Sequence, residues 1–205
     1  MILIIIIATV IISIAALNSR EIMDKLLLSP YAVVHNKELH RILTHAFVHA
    51  DYIHLAVNMI VLFSFGISVQ QIFETLKLSG DIGNIWVHLG TLYFGGAIIS
   101  SLTTLKKYKN DFYYKSVGAS GAVSAVVFTH IFFYPLSKLY FFGIIPIPAI
   151  VFGVGYLLYS HYKSRNSSDN INHDAHFVGA VFGFLYPLLI NPRLIFQFLE
   201  GLKLM

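Results

Sequence analysis

The chain has 205 residues, of which 57% are hydrophobic and only 12% are charged, and its mean hydropathy is +0.72. This composition is typical of a membrane protein and argues against a soluble domain. The net charge of +4 does not indicate nucleic-acid binding, because the 14 Lys and Arg residues are scattered in short loops, where they suit anionic lipid headgroups. The absence of cysteine excludes disulfides, thiolate metal ligands and a cysteine nucleophile.

Six hydrophobic stretches predict six membrane-spanning helices. They cover residues 2–19, 54–73, 85–105, 117–134, 139–160 and 175–190, and each approaches the roughly 20 apolar residues that a span requires. The first is interpreted as a retained span, since a secretory signal begins with a basic segment and no Lys or Arg precedes Arg20. The expected fold class is an all-α polytopic membrane protein, with residues 1–205 in a single domain.

The connections between these stretches are short, apart from residues 20–53, a polar segment in which we expect short interfacial helices. Pro146 and Pro148 lie inside the fifth hydrophobic stretch, where proline should kink the helix or displace its start. We find no sequence repeat of fixed period.

Polar side chains collect at helix ends that share one side of the membrane. The chain reverses side at each span, so the second, fourth and sixth helices all begin on the same side. His54 and Asn58 begin the second helix, Ser120 begins the fourth and His176 begins the sixth. Polar groups are costly in hydrocarbon and often mark function. These four side chains are therefore predicted to converge at one depth.

Ser120 lies in the sequence Gly118-Ala119-Ser120-Gly121, where a Lys-rich loop meets an apolar helix. The glycines allow a sharp turn and a close approach of substrate, and a helix N-terminus offers free N–H groups to a developing oxyanion. This pattern suits a nucleophile. Small residues that serve only helix packing would give the same tetrad, so the motif is weak by itself.

His176 shares a helix face with small residues that favour close helix contact. The fourth helix carries a matching pair, and such pairs let helices approach closely in lipid. The small residues are Gly179 and Gly183 on the sixth helix and Gly121 and Ala125 on the fourth. The contact would bring Ser120 Oγ within hydrogen-bonding range of His176, as a nucleophile and its general base require. A histidine at a helix end can also simply reach toward water.

His54 and Asn58 are four residues apart and share a helix face, from which both could donate hydrogen bonds to an oxyanion. They could instead be polar contacts between helices. No Asp or Glu lies within a predicted span, so a Ser/His dyad is expected. Asp174, two residues before His176, should point to another face, which makes it a weak candidate for orienting the base.

Three other classes of function compete with this interpretation. A zinc site could be built from His40, His45, His49 and His54. However, the His-Glu-x-x-His motif of metalloproteases is absent, so no metal or other cofactor is expected, and His45 and His49 should tie the first loop to the second helix by hydrogen bonds. A small transporter would place its polar residues near mid-membrane in two repeats. A non-catalytic membrane-protein binder would be expected to lack the serine or the histidine.

Together these motifs resemble the rhomboid family of intramembrane serine proteases in its minimal six-helix form. The resemblance covers nearly the whole chain, because the order and spacing of the motifs match. It rests on His54-x-x-x-Asn58, Gly118-Ala119-Ser120-Gly121, Ala175-His176-x-x-Gly179-x-x-x-Gly183, and the stretch from Arg41 through His45 to His49.

The resemblance implies Ser120 as nucleophile, His176 as base, and an oxyanion hole formed by His54, Asn58 and the Ser120 backbone. Structural support would come from Gly118, Gly121, Gly179, Gly183, Arg41, His45 and His49. The implied reaction is hydrolysis of peptide bonds in or near transmembrane segments of other membrane proteins. The chain would then be a multi-pass protein of the lipid bilayer, expected in a bacterial or archaeal inner (plasma) membrane.

The sequence departs from the family pattern at two places. His40-Arg41 stands where the family often has Trp-Arg, and Ser124 stands where a Tyr, four residues after the nucleophile, often supports the histidine. Another aromatic residue or a tighter helix contact should therefore hold His176.

Membrane orientation is a further conflict, because ten of the 14 basic residues fall on the side of Ser120. Only Lys77, Lys138, Arg193 and Lys203 fall on the other side. The positive-inside rule thus argues for a site that faces inward, whereas the resemblance argues for one that opens outward. We adopt the outward orientation, because the match of the motifs does not depend on topology signals.

Overall fold

The computed structural model describes residues 1–141, 144–166 and 171–203. Within this part, the chain forms ten α-helices, one 3-10 turn and one β-hairpin. In chain order these are α1 (Ile2–Asn18), α2 (Arg20–Leu26), α3 (Pro30–His35), α4 (Arg41–Thr44), a 3-10 turn (His45–Phe47), α5 (Tyr52–Leu78), α6 (Ile85–Tyr108), α7 (Ser120–Phe133), β1 (Lys138–Phe141), β2 (Ile145–Pro148), α8 (Ala149–Asn166), α9 (His173–Ile190) and α10 (Leu194–Gly201).

Three of the helices, α5, α6 and α9, are long and apolar enough to cross a membrane. Helices α1 and α7 are apolar but shorter. The outer face of α1 is aliphatic, since Ile4, Ile7 and Ile11 are 66%, 58% and 64% exposed at helical spacing. Such a face is stable in lipid and unfavourable in water, which agrees with a membrane protein. The arrangement in six spans stays a prediction.

Helix α7 is the centre of the bundle. Every residue from Gly121 to Thr129 is buried, as are Ile131 and Phe132. Helices α5, α6, α8, α9 and α10 all pack against it. A helix that is apolar on all sides is one that neighbouring helices enclose, and here the enclosure holds Ser120, its first residue, in a fixed position.

The long first connection folds over the end of the bundle where α7 begins. Its short helices α2, α3 and α4 confirm the prediction of helical structure in residues 20–53. Arg41 links them, because its guanidinium contacts Glu38 at 2.6 Å and donates to the carbonyl oxygens of Asp24 at 2.6 Å and Leu27 at 2.9 Å. The loop is therefore an ordered cap.

The predicted fifth span is wrong over residues 139–141 and 144–148, whereas residues 142 and 143 lie outside the described part of the chain. Residues 138–141 and 145–148 pair as an antiparallel hairpin in which Tyr140 faces Pro146, and helix α8 begins only at Ala149. Proline cannot donate a hydrogen bond, so strands tolerate it where its nitrogen faces outward. Pro146 and Pro148 are two residues apart, so their nitrogens lie on the same edge of the strand. Ala149 is the next residue, and its N–H points to the opposite edge, where it donates to Ser137 O at 2.8 Å. The two prolines thus displace the helix start and make the fold not purely α-helical.

Candidate active site

Ser120 is the first residue of α7, and the three residues before it form a constrained turn. Gly118 has a φ of 115°, a conformation that L side chains rarely adopt. The N–H of Gly118 donates to His45 O at 3.0 Å, and the N–H of Ala119 donates to His49 Nε2 at 3.4 Å. The first loop thus uses these two N–H groups. The next donor along the chain, Ser120 N–H, belongs to the first turn of the helix, where N–H groups have no intrahelical acceptor.

The structure brings Ser120 and His176 into direct contact. The distance from Ser120 Oγ to His176 Nε2 is 2.6 Å, a short hydrogen bond between residues 56 positions apart in the chain. Both residues are half-buried, so a substrate can reach them. Such a pair satisfies the geometric requirement for a hydroxyl and the base that would remove its proton.

Glycines make this contact possible, as the small-residue pattern predicts. A Cβ added at Gly179 would overlap the backbone of Gly121, and one added at Gly183 would overlap the backbone of Ala125. Gly121 also faces Ser100 of α6, whose side chain would collide with a Cβ. The α7–α9 contact is therefore backbone against backbone, and the start of α9 is fixed within hydrogen-bonding distance of Ser120.

His54 lies next to the turn before Ser120. A Cβ on Gly118 would fall 2.7 Å from His54 Cε1 and 3.0 Å from His54 Nε2, so only glycine fits there. His54 Nδ1 accepts a hydrogen bond from the N–H of Ala50 at 3.4 Å. In the neutral ring the proton is then on Nε2, the nitrogen that faces Gly118. This tautomer presents a donor next to Ser120.

Asn58 lies one turn further along α5 and is 6% exposed. Its side-chain nitrogen donates to His54 O at 2.9 Å. An amide carries two N–H donors, so this bond uses one and leaves the other for a ligand. The Asn58 side chain is therefore held in place by a hydrogen bond to the backbone of its own helix.

His45 and His49 do not hydrogen-bond to α5, so the partner predicted for them is wrong. His49 Nδ1 bonds to Ser13 Oγ of α1 at 2.8 Å, and Ser13 Oγ donates to Phe47 O at 2.9 Å. With His49 Nε2 accepting from Ala119, the ring must be neutral with its proton on Nδ1. The contact with α5 is between rings, His49 and His54 meeting edge to face at 4.9 Å.

Both loop histidines are held in the neutral state. Burial lowers the pKa of His45 to about 4. Burial, together with the nearby His54, lowers the pKa of His49 to about 3. His40, the remaining member of the alternative zinc cluster, bonds instead to Lys25 O at 3.1 Å.

Sequence analysis did not identify Tyr156, which lies beside His176 where the family often has a tyrosine at the position of Ser124. Tyr156 of α8 bonds to Ser124 through its hydroxyl at 3.1 Å, and its ring stacks on His176 with a centroid distance of 6.4 Å and an interplanar angle of 18°. The departure at Ser124 predicts that another aromatic residue or a tighter helix contact holds His176, and Tyr156 is such an aromatic residue. The sequence offers no signal that selects Tyr156 among the aromatic residues of α8.

The end of the bundle that holds Ser120 is also polar. Asp174 forms an ion pair with Lys107 at 3.1 Å, and so points away from His176 as expected. A cavity of about 360 Å³ lies between the α6–α7 loop and the start of α9. Its lining includes Ser116, Asn172, His173 and Lys115. The cavity lies at the same end of the bundle as Ser120 and His176, but neither of these two residues lines it.

Comparison with known proteins identifies the family of the chain. The model of the rhomboid domain family matches residues 36–193. RHOMBOID-like protein 12, mitochondrial, of Arabidopsis thaliana is 31% identical over a 152-residue alignment that covers 69% of this chain and 44% of the relative. RHOMBOID-like protein 6, mitochondrial, of the same plant is 38% identical over 91 residues, covering 44% of this chain and 25% of the relative.

This chain spans less than half the length of these two curated relatives. Their names place them in mitochondria, so the expected bacterial or archaeal plasma membrane is not borne out. The matched residues 36–193 run from before α4 through α9 and contain Ser120, His176, His54 and Asn58. The chain belongs to the rhomboid family.

Proposed function

We propose that this protein is an intramembrane serine endopeptidase with Ser120 as nucleophile and His176 as general base. The single observation that carries the proposal is the 2.6 Å hydrogen bond between Ser120 Oγ and His176 Nε2 at the N-terminus of α7. The proposal includes six membrane spans, formed by α1, α5, α6, α7, α8 and α9, in one rhomboid-like domain. Its substrates would be membrane proteins with transmembrane segments.

The first chemical step forms an acyl-enzyme. His176 Nε2 takes the proton from Ser120 Oγ as the oxygen attacks the carbonyl carbon of the scissile peptide bond. The oxyanion that develops would accept hydrogen bonds from Ser120 N–H, His54 Nε2 and the free N–H of Asn58. Protonated His176 then gives its proton to the amine as the C–N bond breaks, and the C-terminal fragment leaves.

The second step releases the other fragment. A water molecule attacks the ester carbonyl, with His176 again removing a proton. The proton returns to Ser120 Oγ when the ester bond breaks, and a carboxylic acid is released. No metal or other cofactor takes part in this scheme.

The substrate has to unwind before either step, because a helix in lipid holds its carbonyl groups in its own hydrogen bonds. Small residues near the membrane boundary would make unwinding easier, since bulky branched residues would pack against the bilayer and the helix. The proposed site is at one end of the bundle, where an unwound segment can meet water.

The experiment is a cleavage assay in proteoliposomes. A single-span test protein with Gly and Ala at its membrane boundary is co-reconstituted with the wild type or with Ser120→Ala, and fragments are followed by mass spectrometry. We expect two complementary fragments with the wild type and none with the variant. Co-purification of intact test protein with both forms, without fragments, would favour the non-catalytic binder over the protease.

A further inference from the structure

Helix α7 carries a second serine, Ser124, one turn after Ser120. Residues four apart in a helix lie on the same face. Ser120 Oγ contacts His176, and Ser124 Oγ contacts Tyr156 Oη at 3.1 Å. The two hydroxyls therefore hold two different aromatic rings side by side.

Those two rings also contact each other. The His176 and Tyr156 rings lie 6.4 Å apart, centroid to centroid, at an angle of 18°. The Tyr156 ring also lies 6.2 Å from the Phe152 ring, at 17°. Tyr156 is therefore nearly parallel to a neighbouring aromatic ring in each of the two contacts.

Helix α8, which carries Tyr156, has an exposed apolar outer face. Val151, Val154 and Leu158 are 57%, 50% and 68% exposed. Tyr156 faces inward from this helix and also contacts Phe128 of α7, ring to ring, at 5.9 Å. The ring beside His176 thus comes from a helix with an exposed apolar face, and it contacts α7 through the Ser124 hydroxyl and the Phe128 ring.

We propose that Tyr156 is a positioning residue that orients the His176 ring toward Ser120, and that Ser124 fixes Tyr156 for this purpose. The inference rests on the proposed function, since it assigns Tyr156 a role in preparing the base. The imidazole can turn about its side-chain bonds, and the neighbouring Tyr156 ring restricts that rotation. Orientation of the base then depends on α8 being docked against α7.

Aromatic pairs of this geometry contribute an energy equivalent to a population change of roughly three- to tenfold. Loss of the Tyr156 ring should therefore slow reaction of Ser120 with a fluorophosphonate reagent by about that factor. Tyr156→Leu removes the ring and keeps most of the apolar volume. Tyr156→Phe keeps the ring and removes the hydroxyl that bonds to Ser124, so it should retain a rate within about threefold of the wild type.

Leu157→Ala is the matched control, because Leu157 packs in the same helix and against the same core without a ring contact to His176. We expect Leu157→Ala to lower the melting temperature and to leave the labelling rate per folded molecule unchanged. Ser124→Ala should behave like Tyr156→Phe, and the double variant should be no slower than either single one, because both remove the same bond.

A second measurement does not depend on catalysis. In protein with ¹³C-labelled histidine, the ring protons of His176, assigned with His176→Gln, should show a ring-current shift that Tyr156→Phe keeps and Tyr156→Leu loses. If Tyr156→Leu labels at the wild-type rate or leaves this shift unchanged, the inference is overturned. A wild type that no fluorophosphonate labels would overturn the proposed protease, whereas loss of the shift in Tyr156→Leu would still support the placement of the His176 ring by Tyr156.

Discussion

Helix α7 has a serine–histidine hydrogen bond near each of its ends, and the two ends differ in what surrounds the pair. At the beginning, Ser120 Oγ lies 2.6 Å from His176 Nε2. Near the other end, His130 bonds through Nδ1 to Ser68 Oγ at 2.8 Å and through Nε2 to Ser137 Oγ at 3.2 Å. We call these pairs the N-terminal pair and the C-terminal pair of α7.

Backbone geometry separates the pairs. Ser120 starts a helix, after a turn that only glycine can make, and it has N–H groups without helical acceptors beside its hydroxyl. Ser68 lies inside α5, where backbone N–H groups are used within the helix. His130 lies in the last turn of α7, where the N–H groups are likewise bonded within the helix and the His130 carbonyl accepts from Tyr134 N–H at 2.9 Å. A hydroxyl next to a base is therefore not enough: an oxyanion needs donors, and only the N-terminal pair has them.

The C-terminal pair is instead a link between elements. Ser137 Oγ donates to Tyr134 O at 2.8 Å and can accept from His130 Nε2. Its histidine is flanked by the rings of Phe65 and Tyr134. These contacts join α5, α7 and the start of the hairpin, which is the work of a structural polar network.

The largest expected effect comes from disturbing the close contact between α7 and α9, which positions the N-terminal pair. Gly179→Ala adds a methyl group that overlaps the backbone of Gly121, so α9 must move away from α7 and His176 from Ser120. We expect the fluorophosphonate labelling rate per folded molecule to fall by about 10²-fold or more, since a shift of 1 Å can cost that much. Gly90→Ala is the control, because its Cβ meets only Met1 at 3.9 Å. Equal labelling of the two variants would contradict the account.

The next effect concerns the donors. Asn58→Ala should lower the turnover number for peptide cleavage by about 10²-fold or more, as for loss of one oxyanion donor, with little change in KM. Its bond to His54 O is local, so the melting temperature should change little. Turnover and melting are measured on one purified sample. Full turnover per folded molecule would remove Asn58 from the proposed oxyanion hole.

His130→Ala should show the opposite pattern. It leaves the hydroxyls of Ser68 and Ser137 without their shared partner, which should cost about 1–3 kcal/mol of unfolding free energy. Labelling per folded molecule should stay at the wild-type rate. His130→Gln, which retains one donor and one acceptor, should lose less stability. A labelling defect in either variant at unchanged stability would show that the C-terminal pair influences the site.

The smallest effect is a pH dependence at the loop that holds the turn before Ser120. The pKa of His45 is lowered to about 4 and that of His49 to about 3, so the unfolded chain binds protons at higher pH than the folded one does. The free energy of unfolding is therefore highest above pH about 6.5, and it decreases progressively as the pH falls toward these two pKa values. Each of the two histidines should lower the free energy of unfolding by about 1 kcal/mol when the pH falls to about 5.5.

The measurement is the melting temperature at neutral and mildly acidic pH for the wild type and for His49→Gln, whose amide oxygen can still accept from Ala119 N–H. The variant should show a smaller drop than the wild type. His35→Gln, at an exposed histidine, is the control and should show the wild-type drop. A wild-type melting temperature that stays flat over this range would contradict the neutral state of the two loop histidines.

The residues at helix starts were predictable because two simple rules place them. Alternation of spans fixes which helix ends share a side, and paired small residues mark the close contact of α7 with α9. Together they predicted that Ser120 meets His176 without any knowledge of loop structure. The glycines of α9 could be recognised from the sequence, because the absence of a Cβ is what lets its backbone contact that of α7.

What could not be predicted depends on the rotation of helices and on loop contacts. Tyr156 is one of several aromatic residues of α8, and only the angle at which α8 docks decides which ring meets His176. The partners of His49, Ser13 and Ala119, lie 36 and 70 positions away, with no spacing rule to connect them. The hairpin before α8 was hidden because its residues are as apolar as a span, and only Pro146 and Pro148 signalled it.

The most direct test of the account is to locate the site of covalent reaction with a fluorophosphonate. The wild type, Ser120→Ala, Ser68→Ala, His176→Ala and His130→Ala are treated in detergent, digested and analysed by mass spectrometry for the modified peptide. We expect modification at Ser120 in the wild type and in the Ser68 and His130 variants, and none in the Ser120 and His176 variants. Modification at Ser68, or equal labelling of wild type and Ser120→Ala, would contradict the assignment of Ser120 as nucleophile.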